Sequence, residues 1–364
     1  MGAPLKVNPK ILVWARLDSG YDLPEAAKKI NSTPSSVKEW EATGENITFS
    51  ELKKIARAYK RQIAVFFLDD VPESTKKPKD RRNLRIDEKR LHRDTMLAIR
   101  RTNRYLRIAR ELLGGDEIDS QYKWLDKLNQ TRSIISSASL IRDILGVSVA
   151  DQRRISDSHA ALKLWRERIE SKLGIFTFQF PMPEDEIDGF SYVEGGRPYA
   201  ITLNSKNSKN RRIFTLFHEI GHILEGNSGL CLVVKSNSQN VERKCDSFAA
   251  ELLLPADSVR APRSFDELKV LARDMHVSAE VYARRCHSLN LINKDMLDNL
   301  LDQIRKGVVS ARKDEFPMSP LILSKSRRGE TFFSMVLDAY DSGRMDGSSV
   351  ADILGVRPTR VDRR

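Results

Sequence analysis

The chain has 364 residues, with 62 Lys and Arg against 50 Asp and Glu, a formal net charge of +12 at pH 7. Its length predicts two or three domains, and the absence of an apolar run of membrane-spanning length argues against a transmembrane helix. Three cysteines without paired spacing, and an N-terminus without the apolar core of a signal peptide, predict a reducing cytoplasm. The basic charge is explained equally well by a polyanionic partner and by a solvated surface.

Residues 1–72 are predicted to form a small domain of five short helices. Asn8 and Pro9 begin the first helix. Asp22 and Thr48 each precede a Glu by three residues, a capping box that begins a helix. Short helices with a tight connection between the second and the third are typical of a helix-turn-helix.

This segment resembles the Cro/repressor-like (XRE-type) group of helix-turn-helix domains. The matching features are Arg16, the Ala26-Ala27 pair, Val37, the Trp40-Glu41 end of the third helix, and Leu52. The resemblance implies that the major groove of DNA would be contacted by Ser35, Ser36, Lys38 and Glu39. The acids Glu39 and Glu41 depart from this pattern, because phosphate repels negative charge. Both DNA binding and retention of the domain for protein contacts or dimerisation therefore stay open.

Residues 73–157 are predicted to be a basic linker followed by helices. A polar, Pro-bearing stretch over residues 71–82 marks the first domain boundary. Arginines then recur from Arg90 to Arg110 among apolar residues, which predicts an amphipathic helix with a basic side. Such a side is either a solvated face, or a face that follows DNA or an acidic partner.

Residues 158–315 are predicted to contain a small sheet followed by a metal-binding helix. Alternation over residues 175–180 predicts a strand, and two segments that flank residues 194–196 predict a hairpin. Residues 212–224 then contain H-E-x-x-H within an apolar helical periodicity. Only six histidines occur in the chain, so two of them four residues apart around a Glu are unexpected by chance.

The H-E-x-x-H motif predicts a metal site. Positions i and i+4 share one face of a helix, so His218 and His222 can both ligate one ion. Glu219 is placed to take a proton from a metal-bound water. Glu242 is the preferred third ligand, and Asp246, four residues later on the same face, would accept the free ring N–H of a histidine. The alternatives for the third position are Cys245 and Glu251.

The H-E-I-G-H motif and the run E-R-K-C-D-S-F-A-A-E-L-L-L-P from Glu242 resemble the ImmA/IrrE family of zinc metallopeptidases. The resemblance spans about Ser158 to Ile292 and implies a gluzincin-like active site with Zn²⁺, or Mn²⁺ in its place. It also implies that the substrate is a helix-turn-helix repressor, whose cleavage would derepress stress, mobile-element or toxin–antitoxin genes. Cys245 is a departure, since the family commonly has Ala there.

The remaining predictions concern the catalytic details and the end of the chain. A donor that stabilises the oxyanion is required, and the candidates are Tyr192, Tyr199, His276 and Tyr282. Cys231 is either buried or a redox-sensitive thiol near the metal. Residues 316–364 are predicted to form a short helical module that docks on the catalytic domain or on a partner.

The predicted fold is therefore α+β and mostly α, with an N-terminal five-helix domain, a helical linker, a gluzincin-like metallopeptidase domain with a small sheet, and a C-terminal helical module. The leading functional hypothesis is a cytoplasmic zinc endopeptidase without membrane association. The alternative is a DNA-binding transcriptional regulator, or an antitoxin-like protein, whose metal domain does not cleave. A homodimer is left open.

Overall fold

The structure, a computed structural model, describes residues 5–72, 91–128, 133–193, 195–225, 229–232, 239–306 and 319–360. The described chain divides into two compact units. Residues 5–72 and 91–101 form the first unit, and the residues from Thr102 onward form the second. Within the described ranges, no helix is both long enough and apolar enough to cross a membrane.

The first unit begins with four α-helices and a 3₁₀ helix around one apolar core. The α-helices are α1 (Pro9–Asp18), α2 (Leu23–Ile30), α3 (Pro34–Thr43) and α4 (Phe49–Tyr59), and the 3₁₀ helix is Ile63–Phe67. The two predicted capping boxes form at Asp22 and Thr48. Gly44 ends α3 at a φ of +70°, where a Cβ would lie 2.1 Å from the carbonyl oxygen of Val7. Only glycine allows this approach.

Glu41 forms an ion pair inside the first unit. The Arg16 Nε and Nη2 atoms donate to its two carboxylate oxygens at 2.7 and 3.0 Å, and each of the two side chains is 10% exposed. A bidentate pair of this kind fixes α1 against α3. The charge of Glu41 is therefore compensated within the unit, and its effect on DNA binding stays a prediction.

The basic stretch forms a 20-residue helix, α5 (Arg93–Leu112). Residues up to Arg101 belong to the first unit and later ones to the second. In the first unit, Arg100 Nη2 donates to the carbonyl of Lys60 at 2.9 Å. In the second, Arg104 pairs with Asp352 at 2.5 Å and Arg110 Nη2 donates to the Gly196 carbonyl at 2.8 Å. Arg100 is only 10% exposed, so the prediction of a solvated face is wrong for it. Arg104 is 45% exposed and agrees with that prediction. Binding of DNA or of an acidic partner by this face stays a prediction.

The second unit continues with helices that surround a small sheet. Those before the sheet are α6 (Gly115–Gln121), α7 (Trp124–Leu128), α8 (Ile134–Leu145), α9 (Val149–Arg154) and α10 (Ser158–Leu173). Those after its third strand are α11 (Lys209–Leu224), α12 (Gln239–Leu253), the 3₁₀ helix Ala256–Ser258, α13 (Phe265–Asp274), α14 (Ala279–Ser288) and α15 (Lys294–Lys306). The last are α16 (Pro320–Arg328), α17 (Glu330–Asp341), α18 (Gly347–Leu354) and the 3₁₀ helix Pro358–Arg360.

The sheet has four described strands. They are β1 (Phe176–Phe180), β2 (Ile187–Tyr192), β3 (Ala200–Asn204) and β4 (Gly229–Leu232), in the spatial order β1-β3-β2-β4. β2 and β3 pair antiparallel, which confirms the predicted hairpin, whereas β1 and β3 are parallel. Glu194, in the predicted turn, lies outside the described residues. β4 pairs antiparallel with β2 at one edge and was not predicted.

The sheet is covered by helices, and the C-terminal helices take part in this cover. α11 packs on β2 and β3, and α16 packs on β1. The rings of Phe178 and Phe332 lie edge to face with centroids 5.6 Å apart. The Thr331 amide donates to Glu170 Oε2 of α10 at 3.0 Å. Helices α16 and α17 thus pack against the sheet and α10 within the second unit, which is one of the two outcomes expected for residues 316–364.

Candidate metal centre

The H-E-x-x-H motif lies on α11, a helix that is held firmly in the core. Ser208 caps its N-terminus by accepting from the Arg211 amide at 3.3 Å. The apolar positions of the motif region are fully buried, which fixes the rotation of the helix about its axis: Ile213, Leu216, Phe217 and Ile220. The opposite side of α11 therefore presents its polar residues to α12.

Gly221 is the point of closest approach between α11 and α12. A Cβ on Gly221 would lie 3.0 Å from Cys245 Cα and 3.1 Å from Cys245 Sγ. Real Cβ atoms rarely come this close, so a larger residue would push the helices apart. The Cys245 thiol is 1% exposed and fills this crossing. The glycine of H-E-I-G-H thereby allows the histidine face of α11 to meet the acidic face of α12.

Three side chains from the two helices converge. His218 Nε2 lies 3.1 Å from His222 Nε2 and 3.3 Å from Glu242 Oε2, and His222 Nε2 lies 3.6 Å from Glu242 Oε1. Ligands bound tetrahedrally to Zn²⁺ at about 2.0–2.1 Å are separated from one another by roughly 3.3 Å. The three measured separations therefore fit one divalent ion, and these residues could hold it.

Asp246 orients the first histidine. Its Oδ1 lies 2.8 Å from His218 Nδ1. A proton on Nδ1 is donated to this carboxylate, so Nε2 keeps its lone pair directed at the shared point. The predicted pair of Glu242 as ligand and Asp246 as orienting carboxylate thus has the required contacts.

We expect Asp246→Asn to weaken metal affinity by about 10–100-fold, because an amide orients the imidazole less strongly than a carboxylate. Competition with a chromophoric chelator measures this affinity. The exposed Asp338→Asn on α17 is the control. Equal affinities for Asp246→Asn and the wild type would contradict the orienting role.

Glu219 differs from the other acids of the site. It is 0% exposed, and neither carboxylate oxygen has a hydrogen-bond partner among the described residues. A buried carboxylate without partners is costly, and native structures keep one mainly where it serves a reaction or a ligand. Its neighbour His218 belongs to the ligand group. Glu219 is therefore available to a water or a substrate at the metal centre.

The two alternative third ligands have other roles. Glu251 forms a hydrogen-bonded ion pair with Arg285, and the two side chains are 11% and 9% exposed. Arg285 also donates to the Leu254 carbonyl at 2.9 Å, so the pair ties α12 to α14. Cys245 fills the helix crossing. Within the described residues, the ligand group contains neither of them, so the geometry favours Glu242 over both alternatives.

The candidates for the oxyanion donor receive less support. The Tyr282 hydroxyl contacts the Arg260 backbone at 3.3 Å, and the Tyr199 ring packs edge to face on Tyr122. Tyr192 is buried on β2, and His276 is buried in the turn that follows α13. These contacts indicate a role in packing for Tyr199 and Tyr282. The side chain of Cys231 lies outside the described residues.

The sequence analysis missed three structural features around the metal centre: the role of Gly221, strand β4 and the ion pair of Arg285. The glycine of the motif could have been recognised, because a glycine inside a helix often marks a close helix crossing. Strand β4 is too short for its apolar residues to predict a strand. The pairing of Arg285 with Glu251 could not be predicted, since the two lie 34 residues apart. Each of these contacts depends on tertiary packing.

Residues 170–287 match the family model of the M78 peptidases, described as the IrrE N-terminal-like domain. The match covers about a third of the 364-residue chain and contains all three residues of the ligand group. This part of the chain is therefore similar to metallopeptidases of the ImmA/IrrE type. The comparisons with curated proteins and with solved structures gave no match.

Proposed function

We propose that the chain is a zinc-dependent endopeptidase that cleaves a helix-turn-helix repressor in the cytoplasm. The observation that carries the peptidase assignment is the buried carboxylate of Glu219, which follows the ligand residue His218 and has no hydrogen-bond partner among the described residues. A site that only senses metal needs the three ligands, but it has no use for an additional costly buried acid. Zn²⁺ is favoured by the nitrogen and oxygen donors, with Mn²⁺ as the alternative.

Each residue of the metal centre has a distinct role in the proposed reaction. A divalent ion held by His218, His222 and Glu242 would supply Lewis acidity to the scissile carbonyl and to a water molecule. Glu219 would accept the proton of the attacking water and deliver it to the leaving amine. Asp246 keeps the His218 ring in place throughout.

The edge strand β4 offers a way to hold the substrate. Only its β2 side is paired among the described strands. An extended peptide could add to the outer side and exchange backbone hydrogen bonds there, as in other cases of β-strand addition. β4 immediately precedes the stretch that leads into α12, the helix that carries Glu242. This mode of binding recognises an extended, locally unfolded segment.

The proposed substrate follows from the resemblance of the chain to ImmA/IrrE peptidases together with the architecture of the first unit. A repressor-like domain that binds the operator of the substrate repressor, or that repressor itself, would place the peptidase near its target at a high effective concentration. Cleavage would then derepress stress, mobile-element or toxin–antitoxin genes.

Cleavage of a small repressor encoded beside the gene for this chain tests the proposal. The purified, Zn²⁺-loaded chain is incubated with each such repressor, and the products are identified by mass spectrometry. We expect a discrete cut that disappears when a chelator removes the metal. If no neighbouring repressor is cut under any metal loading, the endopeptidase proposal loses its support and the metal-sensing regulator becomes the better hypothesis.

DNA binding by the first unit is a separate proposal. On α3, Ser35, Lys38 and Glu39 are exposed and Ser36 is partly exposed, so all four can be reached by a duplex. We expect Lys38→Ala to weaken operator binding by about 1–3 kcal/mol if the lysine contacts a base edge. Fluorescence anisotropy with the promoter of the neighbouring repressor gene measures this, with the exposed Lys172→Ala of the second unit as the control. Equal loss in both variants would contradict recognition by α3.

A further inference from the structure

The second unit contains a cavity of about 310 Å³ that the peptidase chemistry does not use. Its walls come from α10, the first turn of α11, β1, helix α16 and the N-terminus of α17. We call it the cationic cavity. Its volume lies at the lower end of the range of about 300–1,000 Å³ that is usual for small-molecule sites.

The charge of the lining is positive. Five cations line the cationic cavity: Lys163, Arg166, Lys209, Arg212 and Lys325. Three carboxylates oppose them, namely Glu167, Glu170 and Glu330. The formal balance of the lining is therefore +2 before any ligand binds.

Each of the three carboxylates already has a partner. Glu330 pairs with Lys325 at 2.6 Å and Glu167 pairs with Lys163 at 3.7 Å. Glu170 accepts from the amide of Thr331 and from the hydroxyl of Thr177. The acids are therefore engaged, two of them by Lys325 and Lys163 of the same lining, and the excess positive charge comes from the other three cations.

The floor of the cationic cavity is a buried polar network. Arg166 and Arg212 are 8% and 6% exposed. Arg212 Nη1 donates to Gln179 Oε1 at 2.5 Å, and Gln179 Nε2 donates to the Ser326 carbonyl at 3.0 Å. Arg166 Nη1 donates to the same carbonyl at 2.8 Å. The guanidinium groups are thus held in place before a ligand arrives, which lowers the entropic cost of binding.

We propose that the cationic cavity binds a small phosphate-bearing ligand. Guanidinium and ammonium groups are the usual partners of phosphate oxygens, and the first turn of α11 adds the partial positive charge of a helix N-terminus. Leu162 and Ile322 also line the cavity and provide apolar contacts for an organic moiety. The limited volume selects a ligand of the size of a nucleoside monophosphate over a nucleic acid.

Such a ligand would link the C-terminal helices to the helix of the metal centre. Lys325 comes from α16, whereas Lys209 and Arg212 come from the first turn of α11. Arg212 precedes the ligand His218 by six residues on that helix. Occupancy would therefore stabilise the attachment of α16 to α11 without contact with the metal.

Isothermal titration calorimetry of the full chain with AMP and with pyrophosphate tests this inference. EDTA is present, so that phosphate cannot bind through a metal ion. We expect saturable binding of at least one probe to the wild type. The double variant Lys209→Gln/Lys325→Gln should bind at least about 10-fold more weakly, because both changes remove charge-assisted contacts.

The matched control is Lys172→Gln/Lys206→Gln, which removes two exposed lysines that do not line the cationic cavity. It should retain the wild-type affinity, and thermal unfolding without ligand should be similar for all three proteins. Failure of both probes to bind the wild type, or equal weakening in both double variants, would overturn the inference. Since the readout is binding in EDTA, its outcome is independent of whether the chain is a peptidase.

Discussion

Glu219→Gln is expected to lower the rate of substrate cleavage by about 10²–10⁴-fold, the usual contribution of a general base, while the metal stays bound. The amide keeps the shape of the side chain but cannot accept the proton of the attacking water. The substitution does not alter His218, His222 or Glu242, so the ligand group keeps its geometry. Cleavage rate and metal content, measured on the same protein sample, separate the two effects.

The same substitution has a second expected effect, on stability. Because the Glu219 carboxylate is fully buried without a described hydrogen-bond partner, its charge is costly in the metal-free protein. We therefore expect metal-free Glu219→Gln to unfold at the same temperature as the wild type or at a higher one. A loss of cleavage caused by misfolding would show the opposite shift, so thermal unfolding distinguishes the two explanations.

Glu225→Gln is the matched control for this prediction. Glu225 follows the last residue of the same helix, is 39% exposed and pairs with Lys244 at 3.7 Å. Its replacement should change neither cleavage nor metal content by more than a small factor, since exposed ion pairs contribute little. Cleavage by Glu219→Gln at the wild-type rate would contradict the general-base assignment and would favour a metal centre without hydrolytic function.

Local features of the chain could be predicted from the sequence because a few neighbouring residues determine them. The caps at Asp22 and Thr48 depend on residues three positions apart. His218 and His222 share a helix face for the same geometric reason. The pairing of β2 with β3 followed from the glycines between them.

Features that depend on which elements meet in space could not be predicted in the same way. The i, i+4 spacing placed Glu242 and Asp246 on one face of α12, but only the crossing at Gly221 brings that face to the histidines. The arginines of α5 formed a basic stripe in the sequence, yet Arg104 pairs with Asp352, 248 residues away. A periodic pattern gives the face of a helix, and the tertiary fold decides what that face contacts.

Glu242 and Glu251 give the sharpest contrast, because both carboxylates lie on α12 and their substitution should have opposite consequences. Glu242→Gln is expected to weaken metal binding more than a change in a residue that only orients a ligand, which costs about 10–100-fold, because it removes a direct ligand. The side chain is 27% exposed, so the metal-free fold should be little affected. Metal titration and chemical unfolding, carried out on each variant, give the two quantities.

Glu251→Gln is expected to do the reverse. It removes one partner of a buried ion pair and leaves the buried Arg285 without its carboxylate, a change that costs about 3–5 kcal/mol of unfolding free energy. The contact of Arg285 with the Leu254 carbonyl places the expected loss at the lower end of that range. Where the variant stays folded, its metal affinity should equal that of the wild type. Loss of the metal from Glu251→Gln together with its retention by Glu242→Gln would contradict this assignment. Glu251 would then be the third ligand, because only removal of a direct ligand abolishes binding to the two imidazoles.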